Sequence, residues 1–148
     1  MRFSEIAPEQ LAARDIRAVF ADLDNTLEPY GAREPSGEAL LWFERLRAEG
    51  VALAVVSNAG RKRVSTYCRD IPHAYKARKP NPGAILDMAR RLGIEPRHVL
   101  FIGDQLRTDM RAARRAGVGF LRVDPVSPNL FHRLRYSIEK RFFTYEAG

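Results

Sequence analysis

Three short apolar runs set the limits on what this chain can become: Ala18-Val19-Phe20-Ala21, Val51-Ala52-Leu53-Ala54-Val55-Val56 and Val99-Leu100-Phe101-Ile102. None alternates apolar with polar residues, so each reads as a strand buried on both faces, the pattern of a parallel sheet. The first strand is expected over Arg17 to Leu23, and weaker strands over His73 to Tyr75 and Gly119 to Val123. Helix-length segments lie between them. Pro8 suits the first turn of a short helix over Ile6 to Ala13. Ser36 caps a second that runs to about Glu49, with Leu40, Phe43 and Leu46 on one face and Gly50 as its stop. Others are expected from Arg61 to about Arg69, from Pro82 to Gly93, and from about Leu106 to Ala116 before Gly117. Strands alternating with helices imply an α/β domain with right-handed crossovers. The length of 148 residues, with no repeat or linker, fits a single domain over residues 1–148.

In such a sheet ligands bind beyond the carboxyl ends of the strands. Asp22 and Asp24 follow the first run, Ser57 and Asn58 the second, and Asp104 the third. Two carboxylates as close as Asp22 and Asp24 resist joint ionisation unless a cation lies between them. A hard divalent ion such as Mg²⁺ fits their oxygens and a phosphate alike, with Asp104 as a further ligand. Such pairs also cap turns, and Ser-Asn after a strand is also an ordinary helix cap. Lys79, before Pro80, would supply the positive charge that phosphoryl transfer needs; Lys76 is its rival. Asp109, five residues beyond Asp104, would orient metal-bound water or tether Lys79, or simply favour a helix N-terminus.

Each part alone is modest, but their order is specific. Asp-x-Asp-x-Thr, Ser-Asn, Lys-Pro and Gly-Asp-x-x-x-Thr-Asp, each at a strand end or helix start, resemble the four motifs of the haloacid dehalogenase (HAD) superfamily of phosphohydrolases. The resemblance spans about residues 15–125, and no motif position departs from the pattern. The strings Asp22-Leu-Asp-Asn-Thr-Leu, Tyr75-Lys-Ala-Arg-Lys-Pro and Gly103-Asp-Gln-Leu-Arg-Thr-Asp look like the YqeG-type, subclass IIIA phosphatases, relatives of the mitochondrial phosphatidylglycerophosphate phosphatases. This implies a three-layer Rossmann-like fold with a central, mainly parallel sheet and the Asp22 strand in the middle. It implies Asp22 as nucleophile, passing through an aspartyl-phosphate, and Asp24 as general acid/base. Mg²⁺ would be held by Asp22, the Asp24 backbone carbonyl and Asp104. Ser57, Asn58 and Lys79 would bind the phosphoryl group, with Asp109 supporting the site.

Many members of the superfamily close a cap domain over their substrates. Neither the stretch from Asp24 to Ser57 nor that from Ser57 to Lys79 has room for one, so a capless, open site is expected. It suits a phosphate presented on something bulky, phosphatidylglycerophosphate included, or a second subunit acting as lid in a homo-oligomer. Residues 130–143 fit a basic amphipathic helix: Leu130, Leu134, Ile138 and Phe142 form a stripe beside Arg133, Arg135, Lys140 and Arg141. It would lie on an anionic membrane surface, or pack on the domain. Net charge is +7, nearly all of the basic residues being Arg, since only Lys62, Lys76, Lys79 and Lys140 are lysines. That surface attracts polyanions, so a basic RNA- or ribosome-binding module with a vestigial phosphatase site is the alternative; no aromatic-rich RNA signature accompanies it. The lone Cys68 and the lack of an apolar leader or membrane-length run give a cytoplasmic expectation, peripheral to the membrane if the last helix binds lipid. No P-loop motif is present, and a receiver domain would place its lysine after the last strand and leave Ser57-Asn58 idle.

Overall fold

A computed structural model describes residues 1–126. The expected helix over 130–143 lies outside the described residues. Helix α1 (Pro8–Ala13) precedes strand β1 (Ala18–Ala21), followed by α2 (Gly37–Ala48), β2 (Ala52–Val56) and α3 (Arg61–Cys68). A two-residue β3 (His73–Ala74), α4 (Gly83–Leu92), β4 (Val99–Gly103), α5 (Arg111–Ala116) and β5 (Gly119–Arg122) complete it. The strands form one parallel sheet in the order β3-β2-β1-β4-β5. Ala18 pairs with both Ala52 and Val99, so β1 is central.

Both faces of the sheet are covered, which is why the strands do not alternate in polarity. Val19, Ala21, Val55, Leu100 and Ile102 pack on one side with Leu11, Trp42, Leu46, Val64 and Tyr67. Ala18, Phe20, Ala54, Val56 and Phe101 pack on the other with Ile85, Met88, Ala112 and Ala116. Successive residues of a strand point to opposite faces, so each strand feeds both cores. Three layers result.

The ends of the elements follow from local chemistry. Ser36 caps α2 as expected, its hydroxyl accepting from the Ala39 N–H at 3.1 Å. The inward face of α2 differs from the expected one: Ala39, Trp42 and Leu46 are buried, whereas Leu40 is half exposed and Phe43 lies at the edge of the core. Trp42 decides this. Its ring meets Phe3 edge-on at 5.3 Å, and its indole N–H donates to the Ile6 carbonyl at 2.9 Å, so both its bulk and its polar atom are satisfied inside. The segment expected as one helix from Leu106 begins with a π-helical turn, Leu106–Met110, before α5. There the Met110 N–H reaches back to the Gln105 carbonyl at 3.3 Å, and the Asp109 carboxylate accepts from the Gln105 N–H at 3.2 Å. Such turns recur at functional sites.

Cys68 is buried at the end of α3. Burial pushes its thiol up to about 12, with the nearby Arg63 charge acting weakly the other way. A folded value above the usual thiol range of about 8.5 means that folding favours the protonated form. That contribution is full below about pH 8.5 and is lost as the pH climbs towards the folded value. Native protein is therefore expected to resist a disulfide-exchange reagent at pH 8 and to react fully once denatured, as followed by absorbance. No helix among the described residues is long and apolar enough to cross a membrane.

Candidate active site

Because the sheet is parallel, β1, β2 and β4 end at one edge, and their first polar residues meet there. The Asp22 N–H still pairs with the Ile102 carbonyl at 3.2 Å, tying the tip of β1 to that of β4. Asp22, Asp104 and Asp109 each place a carboxylate oxygen within 4.8 Å of the others. Lys79 enters this group from the loop after β3. Its ammonium lies 2.7 Å from Asp109 Oδ1 and 3.2 Å from Asp22 Oδ1, and 5.2 Å above the Phe101 ring. Lys76 does not join: it is exposed, as is Arg78, while Ala77 and Lys79 are buried. The segment alternates outward and inward, and Lys79 has the inward parity.

Other residues hold these in place. Asn58 clamps the Lys79 backbone at two points, donating to its carbonyl at 3.2 Å and accepting from its N–H at 2.8 Å. Its side chain thus positions the lysine. Ser57 is buried at the end of β2, its hydroxyl accepting from the Ala59 N–H at 3.0 Å. Asn25 and Thr26, read in the sequence only as part of a motif, are fully buried and donate to the two oxygens of Asp104, each at 3.3 Å. Asn25 has φ +64°, a left-handed conformation that its short polar side chain tolerates.

Asp24 stands apart from the carboxylate trio. Its Oδ1 accepts from Arg63 Nη2 at 2.6 Å and Nε at 3.2 Å, and from the Gly31 N–H at 3.4 Å. Arg63 also donates to the Ala32 carbonyl and lies 5.8 Å from the centre of the Tyr67 ring. The Tyr67 hydroxyl donates to the buried Glu28 carboxylate at 2.5 Å, and Glu28 accepts from the Ser36 N–H at 3.0 Å. Helix α3 thereby fastens the loop that carries Asp24. Sequence reasoning missed Arg63, because nothing distinguishes one arginine of a basic helix in an arginine-rich chain.

The electrostatics call for a cation. Burial pushes the Asp104 carboxyl up to about 8, and the neighbouring charges of Asp109 and Asp22 push it the same way. Burial also pushes Asp22 up to about 6, against the pull of Lys79. Burial alone would lower the Lys79 ammonium, but Asp109 and Asp22 outweigh it and hold it above its ordinary value. Three carboxylates against one ammonium leave two negative charges when all are ionised. A divalent ion with a preference for oxygen matches both that charge and that donor set.

Gly103 is part of the same device. A methyl group on it would lie 2.6 Å from Asp109 Cγ and 2.7 Å from its Cβ, and Asp109 is fixed by Lys79 and Gln105. Gly103→Ala is expected to cost about 1–3 kcal/mol through overpacking and to displace Lys79's partner. A thermal melt would show the lower Tm, and phosphatase turnover would fall with it.

A family model of haloacid dehalogenase-like hydrolases matches residues 3–117. The chain is 32% identical over 143 residues to the protein named "Probable phosphatase YqeG" of Bacillus subtilis (strain 168), covering 94% of this chain and 83% of that one. Among solved structures it resembles 3-deoxy-D-manno-octulosonate 8-phosphate phosphatase from Moraxella catarrhalis, a complex with magnesium, phosphate and the sugar acid. That match has a TM-score of 0.57 and 25% identity, over 74% of this chain and 68% of the other. An uncharacterized protein from Listeria monocytogenes serotype 4b shares the fold, with a TM-score of 0.60 at 14% identity over 76% of this chain and 83% of its own. Fold and motifs together define a phosphohydrolase: this chain belongs to the haloacid dehalogenase-like hydrolases. Within them it is a phosphatase, a hydrolase of phosphoric monoesters.

Proposed function

We propose that the chain is a Mg²⁺-dependent phosphomonoesterase that works through an aspartyl-phosphate on Asp22. The observation that carries this reading is the placement of Asp22 at the tip of the central strand, 3.2 Å from a buried ammonium and grouped with Asp104 and Asp109. The Leu23 N–H donates to Asp22 Oδ1 at 2.8 Å, which orients the carboxylate. An Asp22 oxygen attacks phosphorus, the bond to the ester oxygen breaks, and Asp24 protonates the departing alkoxide. Asp24 then takes a proton from water, whose oxygen attacks phosphorus and breaks the bond to Asp22, releasing inorganic phosphate. Lys79, the Ser57 hydroxyl and the main-chain N–H groups that follow it would hold the phosphoryl oxygens as charge spreads over them.

Asp22, Asp104 and the Asp24 carbonyl would hold the ion, and Asp109 would brace Lys79. Bound Mg²⁺ would supply Lewis-acid neutralisation of the carboxylates and the phosphoryl oxygens. Hydrolysis of p-nitrophenyl phosphate is expected to vanish in EDTA and to return with Mg²⁺. Activity that is indifferent to both would overturn the metal assignment.

The substrate reading is an open site in a single capless domain, acting on a bulky or surface-presented phosphate such as phosphatidylglycerophosphate. Short connections support it: residues 22–36 join β1 to α2, and residues 75–82 join β3 to α4. Phosphate release from phosphatidylglycerophosphate in vesicles, compared with soluble esters, tests it. A preference for small soluble esters counts against it.

A further inference from the structure

A carboxylic acid has two oxygens, and its outer torsion is broad unless something holds one of them. In Asp24 every side-chain bond to a described residue goes to the same oxygen. Oδ1 accepts from Arg63 Nη2 at 2.6 Å, from Arg63 Nε at 3.2 Å and from the Gly31 N–H at 3.4 Å. Oδ2 bonds to no described residue. A proton on Oδ1 would face the N–H groups of Arg63, donor against donor, so a proton on Asp24 belongs on Oδ2. Arg63 is itself held from several sides. It stands in the first turn of α3, with Tyr67 one turn further along the same face. While two of its nitrogens bond Asp24, Nη1 donates to the Ala32 carbonyl, which fixes the plane of the guanidinium. Its Cζ lies 5.8 Å from the centre of the Tyr67 ring, and the Tyr67 hydroxyl is tied to Glu28. The Arg63 and Asp24 side chains are only 20% and 18% exposed, so water competes little for either.

We propose that Arg63 is a positioning residue for proton transfer: it holds Asp24 Oδ1 and so assigns the proton to Oδ2. Its role rests on the acid/base role given to Asp24 above and adds to it the atom that acts and the residue that selects that atom. In the first step the Oδ2 proton passes to the ester oxygen as the bond to phosphorus breaks, leaving an alcohol and the Asp24 carboxylate. In the second step Oδ2 takes a proton from water as the water oxygen attacks phosphorus, which restores the acid. Without Arg63 the carboxyl is free to turn, and both transfers lose their fixed geometry. Arg63 needs no contact with substrate for this.

The test compares, with Mg²⁺ present, an ester whose leaving group needs a proton with one whose leaving group does not. 3-Hydroxypropyl phosphate releases a basic alkoxide, whereas p-nitrophenyl phosphate releases a stable nitrophenolate. In Arg63→Gln, kcat/KM for the alkyl ester is expected to fall about a hundredfold, the scale of a misdirected general acid. For the nitrophenyl ester kcat/KM should stay within about threefold of wild type, while kcat and KM fall together because water activation is slowed. Asp24→Asn should show the same selectivity, and adding Arg63→Gln to it should lower alkyl-ester turnover no further, since the arginine acts through the acid. Arg63→Lys keeps the charge without the planar fork and should show the same selective loss at smaller size. Loss of equal size on the two esters, or further loss in the double variant, would assign Arg63 to the fold or to phosphate binding and overturns the proposal. Wild-type kinetics on both esters in the two Arg63 variants overturn it as well. These results leave the role of Asp24 standing. If Asp24→Asn itself shows no selectivity between the esters, the acid/base role falls and the arginine's role falls with it.

Discussion

Replacing Lys79 with Met is expected to cost about 3–5 kcal/mol, because it leaves two clustered carboxylates without their buried cation. Lys79 and Asp109 are each 1% exposed at the side chain and lie 2.7 Å apart, so water replaces little of what is lost. For a domain of this size the Tm should fall by about 10 °C. Phosphatase activity should drop by about a thousandfold, the scale on which removal of one buried donor to transition-state charge is felt. The double variant Lys79→Met/Asp109→Asn separates these effects. With the orphaned charge also removed, stability should recover in part while activity does not. Equal stability of the single variant and the wild type would show that the ammonium is not the compensating charge assigned to it.

Asp22→Asn should do the opposite to stability. Turnover should fall by about four orders of magnitude or more, as when a nucleophile is removed from other hydrolases. The fold, however, is expected to hold or improve. The amide oxygen can still accept from the Leu23 N–H, and a buried charge disappears beside Asp104 and Asp109. Burial raises the Asp22 carboxyl to about 6, above its unfolded value of about 4. The protonated form therefore favours folding, and that contribution fades as the pH rises through the interval between the two values. In metal-free buffer at pH 7.5 the variant should melt no lower than the wild type. Adding Mg²⁺ should raise the Tm of the wild type more than that of the variant. A variant that retains turnover would remove Asp22 from the chemistry.

Much of this site was legible because its parts sit at strand ends, and strand ends are marked by the change from apolar to polar residues. Asp22, Ser57 and Asp104 could be placed on one edge without coordinates, once the unalternating runs implied a parallel sheet. What stayed hidden depends on side-chain direction across loops. Only Leu23 separates Asp22 from Asp24, yet the carboxylates that crowd one another are Asp22, Asp104 and Asp109. Asp24 turns instead to Arg63, a partner 39 residues away. That the Asn58 side chain grips the Lys79 backbone could not be read from its place after β2. Strand-like alternation could not have separated Lys79 from Lys76, because the loop after β3 turns through left-handed conformations at Lys76 and Arg78, which leaves those two exposed and buries Ala77 and Lys79. The inward face of α2 was misjudged because a leucine count ignored the one residue, Trp42, whose polar atom also needed a buried acceptor.

The covalent role of Asp22 is the centre of the account, and borohydride trapping reads it directly. An acyl phosphate is reduced by borohydride to the alcohol, which would convert Asp22 to homoserine in protein quenched during turnover with Mg²⁺ and substrate. Peptide mass spectrometry should find homoserine at position 22, only when substrate and metal are both present, and in larger amount in Asp24→Asn given p-nitrophenyl phosphate, whose leaving group needs no proton, so that hydrolysis of the intermediate is the step that slows. Modification at another carboxylate, or none at position 22 during active turnover, would contradict the account.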